Sequence, residues 1–284
     1  MPCHLTFNSL RTIVCENIET SSELIPNTLL LLVTMNESTT VLFVPGAWHS
    51  PDCFDPVVQR LEAAKYKTSK VHLASVNPPT HYLDFSEDVA QIRTKIEDAV
   101  NAGQHVVMVV HSYGGLPSNE AIKGLDIKTR QQKGLTGGVT HLFFCSSFII
   151  PEGESLISAF GGNDLPWFIV TDDRLEVNPA NPDKVFYNDC NAAQVESALA
   201  SLRPHSYQCF HSPCTYAAWK EVPSTYLYCL RDAAIPLAVQ KMMVEETAKG
   251  FGMKTETVDA AHSPFISQPD EVTAAIRRAA GENV

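Results

Sequence analysis

The stretch "HVVMVVHSYGGLPSNEA", residues 105–121, decides how this chain is read. Val106 to Val110 form an unbroken apolar run, which predicts a strand buried on both faces. The run ends on His111-Ser112-Tyr113, and Gly114 and Gly115 follow. A plain loop does not need this order of residues. A serine held on a sharp strand-to-helix turn does, with small residues where the helix packs back on the strand. The pattern for such a turn is G-x-S-x-G, and here Val110 stands at the first glycine position. Valine fits there only beside a small neighbour on the next strand. On these five residues alone a second reading stands equally: Ser112 as the N-cap of the following helix.

The pattern on either side of this stretch is periodic. "VLFVP" (41–45) reads as a strand, and "DPVVQRLEAAKY" (55–66) as a helix with Asp55 as N-cap and Pro56 in its first turn. "TSKVHLASV" (68–76) is the next strand. "SEDVAQIRTKIEDAVNAG" places Val89, Ile92, Ile96 and Val100 on one helical face and stops at Gly103. "THLFFCSSF" (140–148) is a strand. After it come Pro, Gly and Asn clusters through residue 222, with one helix pattern, "NAAQVESALASL". Alternation resumes with strand "STYLYCL" (224–230), helix "PLAVQKMMVEETAKG", strand "KTETVDA" and helix "QPDEVTAAIRRAA". This order predicts an α/β fold: a mostly parallel sheet of about six strands, helices on both faces, and a cap inserted at about 149–222.

Composition bounds the function. The chain has 284 residues, 44% of them hydrophobic, enough for one large α/β domain with an insertion. The net charge of -11 and scattered basic residues argue against a nucleic-acid partner. The eight cysteines follow no disulfide spacing, and Cys145 and Cys229 lie in apolar runs, so a reducing, cytoplasmic setting is expected. "LIPNTLLLLVTM" is too short to span a bilayer, contains Pro26 and is a poor signal peptide. Residues 1–34 lack any period, which suggests either a loosely attached extension or a functional start at Met35, with the folded domain covering 35–284.

A serine nucleophile needs a base, and the base needs an orienting acid. Asp232, in "CLRDAAIP", follows one late strand, and His262, in "VDAAHSPF", follows the next. Both sit at carboxyl ends of strands, where open α/β sheets place their sites, and the order Ser-Asp-His is that of strand–turn–helix serine hydrolases. Glu152 is the rival acid; Glu154 and Asp259 are weaker ones, Asp259 being too close in sequence to His262. His111 is a poor base for its own neighbour. The oxyanion donors expected are the N–H of Tyr113 and that of Ala47 or Trp48 in "PGAWHSPDCF".

Taken together, "VLFVPGAWHSP", "VVHSYGG", "IPEGESL", "VPSTYLYCLRDAAIP" and "AHSPFISQPDEV" resemble the α/β-hydrolase superfamily. They are most similar to its branch of small serine esterases related to plant methyl esterases and hydroxynitrile lyases. The resemblance covers about residues 40–281 and implies the α/β-hydrolase fold. It also implies Ser112 as nucleophile, His262 as base and Asp232 as acid, with the N–H groups of Ala47 and Tyr113 as the oxyanion hole. The lyases carry a lysine after the histidine; here Ser263 stands there, against cyanohydrin chemistry. The expected activity is hydrolysis of an ester or lactone of a small, partly apolar molecule. The alternatives are a lyase, C–C hydrolase or cyclase of a biosynthetic pathway using the same triad, and a non-catalytic ligand-binding relative. No P-loop or G-x-G-x-x-G appears, so no cofactor is expected. His205, Cys209, His211 and Cys214 match no common zinc spacing and read as a partly buried loop. Trp167, Phe168, Phe186, Tyr187, Tyr216 and Trp219 are the cap aromatics expected to form its core, some of them lining the pocket.

Overall fold

The structure, a computed structural model, describes Asn36 and residues 38–284. The expectations for residues 1–34 and for Met35 lie outside the described residues. Six strands form one wholly parallel sheet: β1 (Thr39–Val44), β2 (Lys67–Lys70), β3 (His105–Ser112), β4 (Gly138–Ser147), β8 (Ser224–Cys229) and β9 (Lys254–Val258), in spatial order β2-β1-β3-β4-β8-β9. Parallel strands need crossovers, and helices on both faces supply them.

The two faces are written in the strands' alternation. Leu42, Val44, Val106, Met108, Val110, Leu142 and Phe144 point to one core, with Ile92, Ile96 and Val100 of the helix Ser86–Asn101. Val41, Phe43, Val107, Val109, Phe143 and Cys145 point to the other. There they meet Val57 and Leu61 of the helix Asp55–Ala63, and Val272 and Ile276 of the helix Pro269–Ala279. Each such fully buried aliphatic side chain contributes roughly 1.5–3 kcal/mol, so the central strands hold the sheet from both sides.

Four local expectations are corrected. Asp55 is the first helical residue, not the cap: the 3₁₀ turn Pro51–Phe54 runs straight into the helix, and the Asp55 carboxylate pairs with Lys70 at 2.6 Å. β2 ends at Lys70 rather than 76, because at this sheet edge the chain leaves the ladder, and Leu73 and Ser75 are buried in a loop instead. The helix expected at 236–250 is α-helical only over Leu237–Met242 and widens to a π turn at Met243–Thr247. Val110 pairs with Val44 and Phe144, neither of them small; it packs in the larger core, and space at the turn comes from glycines instead.

Between β4 and β8 the chain leaves the main sheet. It forms an antiparallel ribbon of β5 (Phe168–Val170), β6 (Glu176–Pro179) and β7 (His205–Ser206), with helices at Pro182–Phe186 and Ala192–Ser201. The second helix starts on an Asn191–Gln194 capping box. The Trp48 indole donates to the Val177 carbonyl at 2.8 Å, and Arg203 N–H donates to the Trp48 carbonyl at 2.9 Å, which fastens this segment over the loop after β1. No helix among the described residues is long and apolar enough to cross a membrane.

Candidate active site

Ser112 ends β3 with φ +51°, a left-handed backbone that costs a non-glycine residue on the order of 1–2 kcal/mol. The helix Gly115–Ile122 starts three residues later. The turn closes only because three residues lack a side chain. A Cβ on Gly114 would lie 3.0 Å from the His111 carbonyl oxygen, one on Gly115 2.7 Å from that of Phe148, and one on Gly46 2.8 Å from the Ser112 Cβ. Ser112 does not serve as the helix cap: Gly114 occupies that position and no side chain caps it.

The loops after β8 and β9 bring Asp232 and His262 together. His262 Nδ1 lies 2.8 Å from Asp232 Oδ2, and both side chains are almost wholly buried. The other carboxylate oxygen, Oδ1, accepts the N–H groups of Ala234 at 2.7 Å and Ile235 at 2.8 Å. Fixed in this way, the carboxylate selects the imidazole tautomer with the proton on Nδ1 and leaves Nε2 as the basic nitrogen. No hydrogen bond joins Ser112 Oγ to the His262 ring in this structure. The His111 ring stands beside that of His262, centroids 4.5 Å apart, and His111 Nε2 donates to the His262 carbonyl at 2.9 Å. Burial, with His262 and His49 nearby, holds His111 well below the ordinary histidine range. His111 therefore fixes the histidine loop as a neutral group.

The rival acids lie elsewhere. Glu152 is bound to Lys220 at 3.1 Å, a contact that lowers its pKa, and to Ala217 N–H. Glu154 accepts from Ser158, and Asp259 is an exposed partner of Arg231 at 2.8 Å. None of these three carboxylates bonds to His262.

Ala47, Ser112 and Tyr113 line one narrow cleft, walled by Trp48, Phe148, Leu156, Leu165, Trp167, Phe168, Phe210, Ala234 and Ile235. No charged side chain lines it. Among the described residues no acceptor takes the N–H of Ala47 or Tyr113. Tyr113 is anchored from behind. Its hydroxyl donates to the buried Asp88 at 2.7 Å; Asp88 also accepts Ser75 N–H at 2.9 Å and Ser75 Oγ at 2.6 Å, and Ser75 meets His205 Nε2 at 2.8 Å. Burial raises the Asp88 carboxyl above its ordinary range, against these hydrogen bonds.

The aromatic residues divide. Trp167, Phe168, Phe186 and Phe210 surround Trp48 at centroid distances of 5.5–5.8 Å, and Phe186 also lies 5.5 Å from His262. Tyr187 bonds to His49 Nε2 at 2.7 Å, where both line a larger outer cavity of about 730 Å³ whose lining does not include Ser112. Of these two, the tight cleft is the one that Ser112 lines. Tyr216 lies under Lys123, and Trp219 packs on Phe251; neither lines the cleft. His205 is spent on Ser75 and the Ser206 carbonyl, and Cys209 on the Asp84 carbonyl. Among the described residues no group of three His, Cys, Asp or Glu side chains could hold a metal ion. Sequence reasoning missed Asp88, Phe210 and Ser146. Asp88 carried one signal, an acid on the face of a helix whose neighbours at that spacing are apolar.

A strained serine between a parallel strand and a helix, with a buried Asp–His pair at the ends of the last two strands, is the architecture of the alpha/beta hydrolases. The chain belongs to this family: the alpha/beta hydrolase family profile matches residues 41–275. It is 32% identical over 247 residues, 86% of this chain and 97% of the relative, to alpha/beta hydrolase nvfD of Aspergillus novofumigatus. It is 26% identical to polyneuridine aldehyde esterase of Rauvolfia serpentina over 239 residues, 75% of this chain and 84% of that one. The crystal structure of polyneuridine aldehyde esterase superposes with a TM-score of 0.66 at 19% identity, covering 84% of this chain and 98% of that one. A pyrethroid hydrolase from Sphingobium faniae superposes at 0.67 with 20% identity, covering 85% and 97%. These superpositions bear on the fold.

Proposed function

We propose that this chain is a serine hydrolase that cleaves a carboxylic ester or lactone of a small, uncharged and largely apolar molecule. The observation that carries this reading is the buried Asp232–His262 pair together with a serine held in a strained turn. Strain of this kind is retained where it serves a site. The names of the relatives, an esterase and hydrolases among them, support the same class.

Ester binding closes the gap between Ser112 Oγ and His262 Nε2. Oγ attacks the carbonyl carbon and its proton passes to Nε2; Asp232 holds the imidazolium that forms. The oxyanion takes the N–H groups of Ala47 and Tyr113, which are free of other acceptors. When the tetrahedral intermediate collapses, His262 returns the proton to the leaving alcohol and an acyl group remains on Ser112. Water, deprotonated by His262, then releases the acid. The apolar cleft excludes charged acyl groups, since nothing there compensates their desolvation. Residues of about 149–222 act as the cap: Trp167, Phe168 and Phe210 must shift to admit the substrate.

The test is covalent. A fluorophosphonate probe should add one phosphonyl mass to the intact protein, mapped to the peptide containing Ser112, and Ser112→Ala should abolish both label and turnover. Turnover of an ester by Ser112→Ala within tenfold of the unaltered enzyme would sink the proposal.

A further inference from the structure

We infer that Ser146 is a fourth, positioning member of the catalytic relay, holding Asp232 and the Nδ1 side of His262 in register. The inference rests on the reading of Ser112, Asp232 and His262 given above. Ser146 is fully buried, and its hydroxyl donates to Asp232 Oδ2, the same oxygen that faces His262 Nδ1. Its Oγ also lies 3.5 Å from His262 Nδ1. Asp232 thus receives four donors: two backbone N–H groups on Oδ1, and the imidazole and this hydroxyl on Oδ2.

The backbone shows why the residue is not incidental. β3 and β4 pair His111 with Cys145 and then Ser112 with Ser147, so Ser146 is an extra residue, a bulge opposite the nucleophile turn. A bulge at this place re-aims one side chain off the ladder. Ser146 has φ +41°, a conformation for which glycine is the unstrained choice. Glycine would satisfy the backbone but supplies no side-chain donor, whereas the Ser146 hydroxyl donates to Asp232. The next residue continues the arrangement, for Ser147 Oγ donates to the Ser112 carbonyl at 2.8 Å. One bulge therefore braces the nucleophile's backbone and the acid's carboxylate together.

The expected effect follows from the chemistry of the carboxylate. A hydroxyl donor spreads the charge of Asp232 away from the imidazole. Without it, the carboxylate favours imidazolium more strongly, so a higher pH is needed to free the base. Other titratable groups around His262 do not mask this effect. His111 and, beyond it, His49 are held low chiefly by burial, so both stay neutral. Tyr226 and Cys229, beside Asp232, are pushed up, chiefly by burial, and stay protonated. On the far side of the loop, Asp189 accepts Ala261 N–H and Ser267 Oγ, and Arg231 is paired with Asp259; Ser146→Ala leaves these contacts in place.

The experiment compares Ser146→Ala, Ser146→Gly and Ser112→Ala on a short-chain 4-nitrophenyl ester, with melting temperature, fluorophosphonate labelling rate and the pH profile of kcat/KM for each. Loss of the bond that keeps Asp232 and the imidazole in register misplaces the base, and this predicts a fall in kcat of about 10- to 100-fold for Ser146→Ala. KM should stay within about twofold, labelling should slow, and the acid limb should move to higher pH. Ser146→Gly relaxes φ and should melt at or above the temperature of Ser146→Ala, yet lose activity to the same extent. Two results overturn the inference while Ser112→Ala is inactive: full activity with an unmoved acid limb in either Ser146 variant, or activity that returns in Ser146→Gly as the melting temperature recovers. An active Ser112→Ala would overturn the relay reading, and this inference with it.

Discussion

Replacing Asp232 by Asn tests the proposed relay at its most constrained atom. The substitution conserves shape, so its effect is electrostatic. Oδ1 faces two backbone donors, Ala234 and Ile235 N–H, and Oδ2 faces His262 Nδ1 and the Ser146 hydroxyl. The asparagine amide nitrogen cannot face the two N–H groups, which cannot rotate away, without leaving them unsatisfied at about 1–3 kcal/mol each. It therefore turns toward His262. Ser146 reorients, and Nδ1 must then accept a hydrogen bond rather than donate one. That tautomer places the proton on Nε2, where the base should be. On precedent from other triads the loss in kcat is about ten-thousand-fold, equivalent to about 5 kcal/mol of barrier at 1.36 kcal/mol per decade. The assay is steady-state turnover of an activated ester together with the rate of fluorophosphonate labelling, with thermal melting as a check on the fold. Near-normal activity in Asp232→Asn, combined with loss in Glu152→Gln, would refute the assignment of the acid and with it the argument from carboxylate geometry.

Three further outcomes are expected. Gly46→Ala would place a Cβ 2.8 Å from the Ser112 Cβ and 3.0 Å from His111 Nδ1, and should lower kcat on the order of a hundredfold while the protein still melts cooperatively; unchanged kcat would show that this loop yields freely. Burial lowers His49 and His141 to about 4 and His205 to about 3, so the folded state stays neutral where the unfolded chain takes up protons. Stability should therefore be complete above about pH 6.5 and fall as pH drops through 6.5, down to about 4 for His49 and His141 and about 3 for His205. His141→Gln should flatten that slope by an amount on the order of 3 kcal/mol in chemical denaturation at pH 4, and an unaltered slope would refute the contribution of this site. A chain beginning at Met35 retains Asn36, whose side-chain amide donates to the Ala64 carbonyl at 2.9 Å; it should melt within about 2 °C of the full chain with equal kcat, whereas insolubility would show that residues 1–34 are needed.

The sequence by itself determined the class. Alternation of apolar runs with helical spacing is a local property, and it was enough to place five of the six strands closely and the order of Ser112, Asp232 and His262 at strand ends. Gly114 and Gly115 could be read for the same reason: a backbone that approaches this closely leaves no room for a side chain, and the sequence shows where side chains are missing. What remained hidden depends on residues distant in the chain. Asp232 and Glu152 look alike as acids following strands; only the positions of the loops after β8 and β9 put one carboxylate on His262 and leave the other on Lys220. Trp167 and Trp219 are both aromatic residues of one insertion, yet packing around Trp48 brings the first to the cleft and sends the second to Phe251. Ser146 was the least legible of all. In "FFCSSF" it is one polar residue at the end of a strand, and nothing local announces a bulge. Its left-handed backbone and its bond to Asp232 arise where β4 must register against the strained end of β3, a constraint that exists only once the strands are paired.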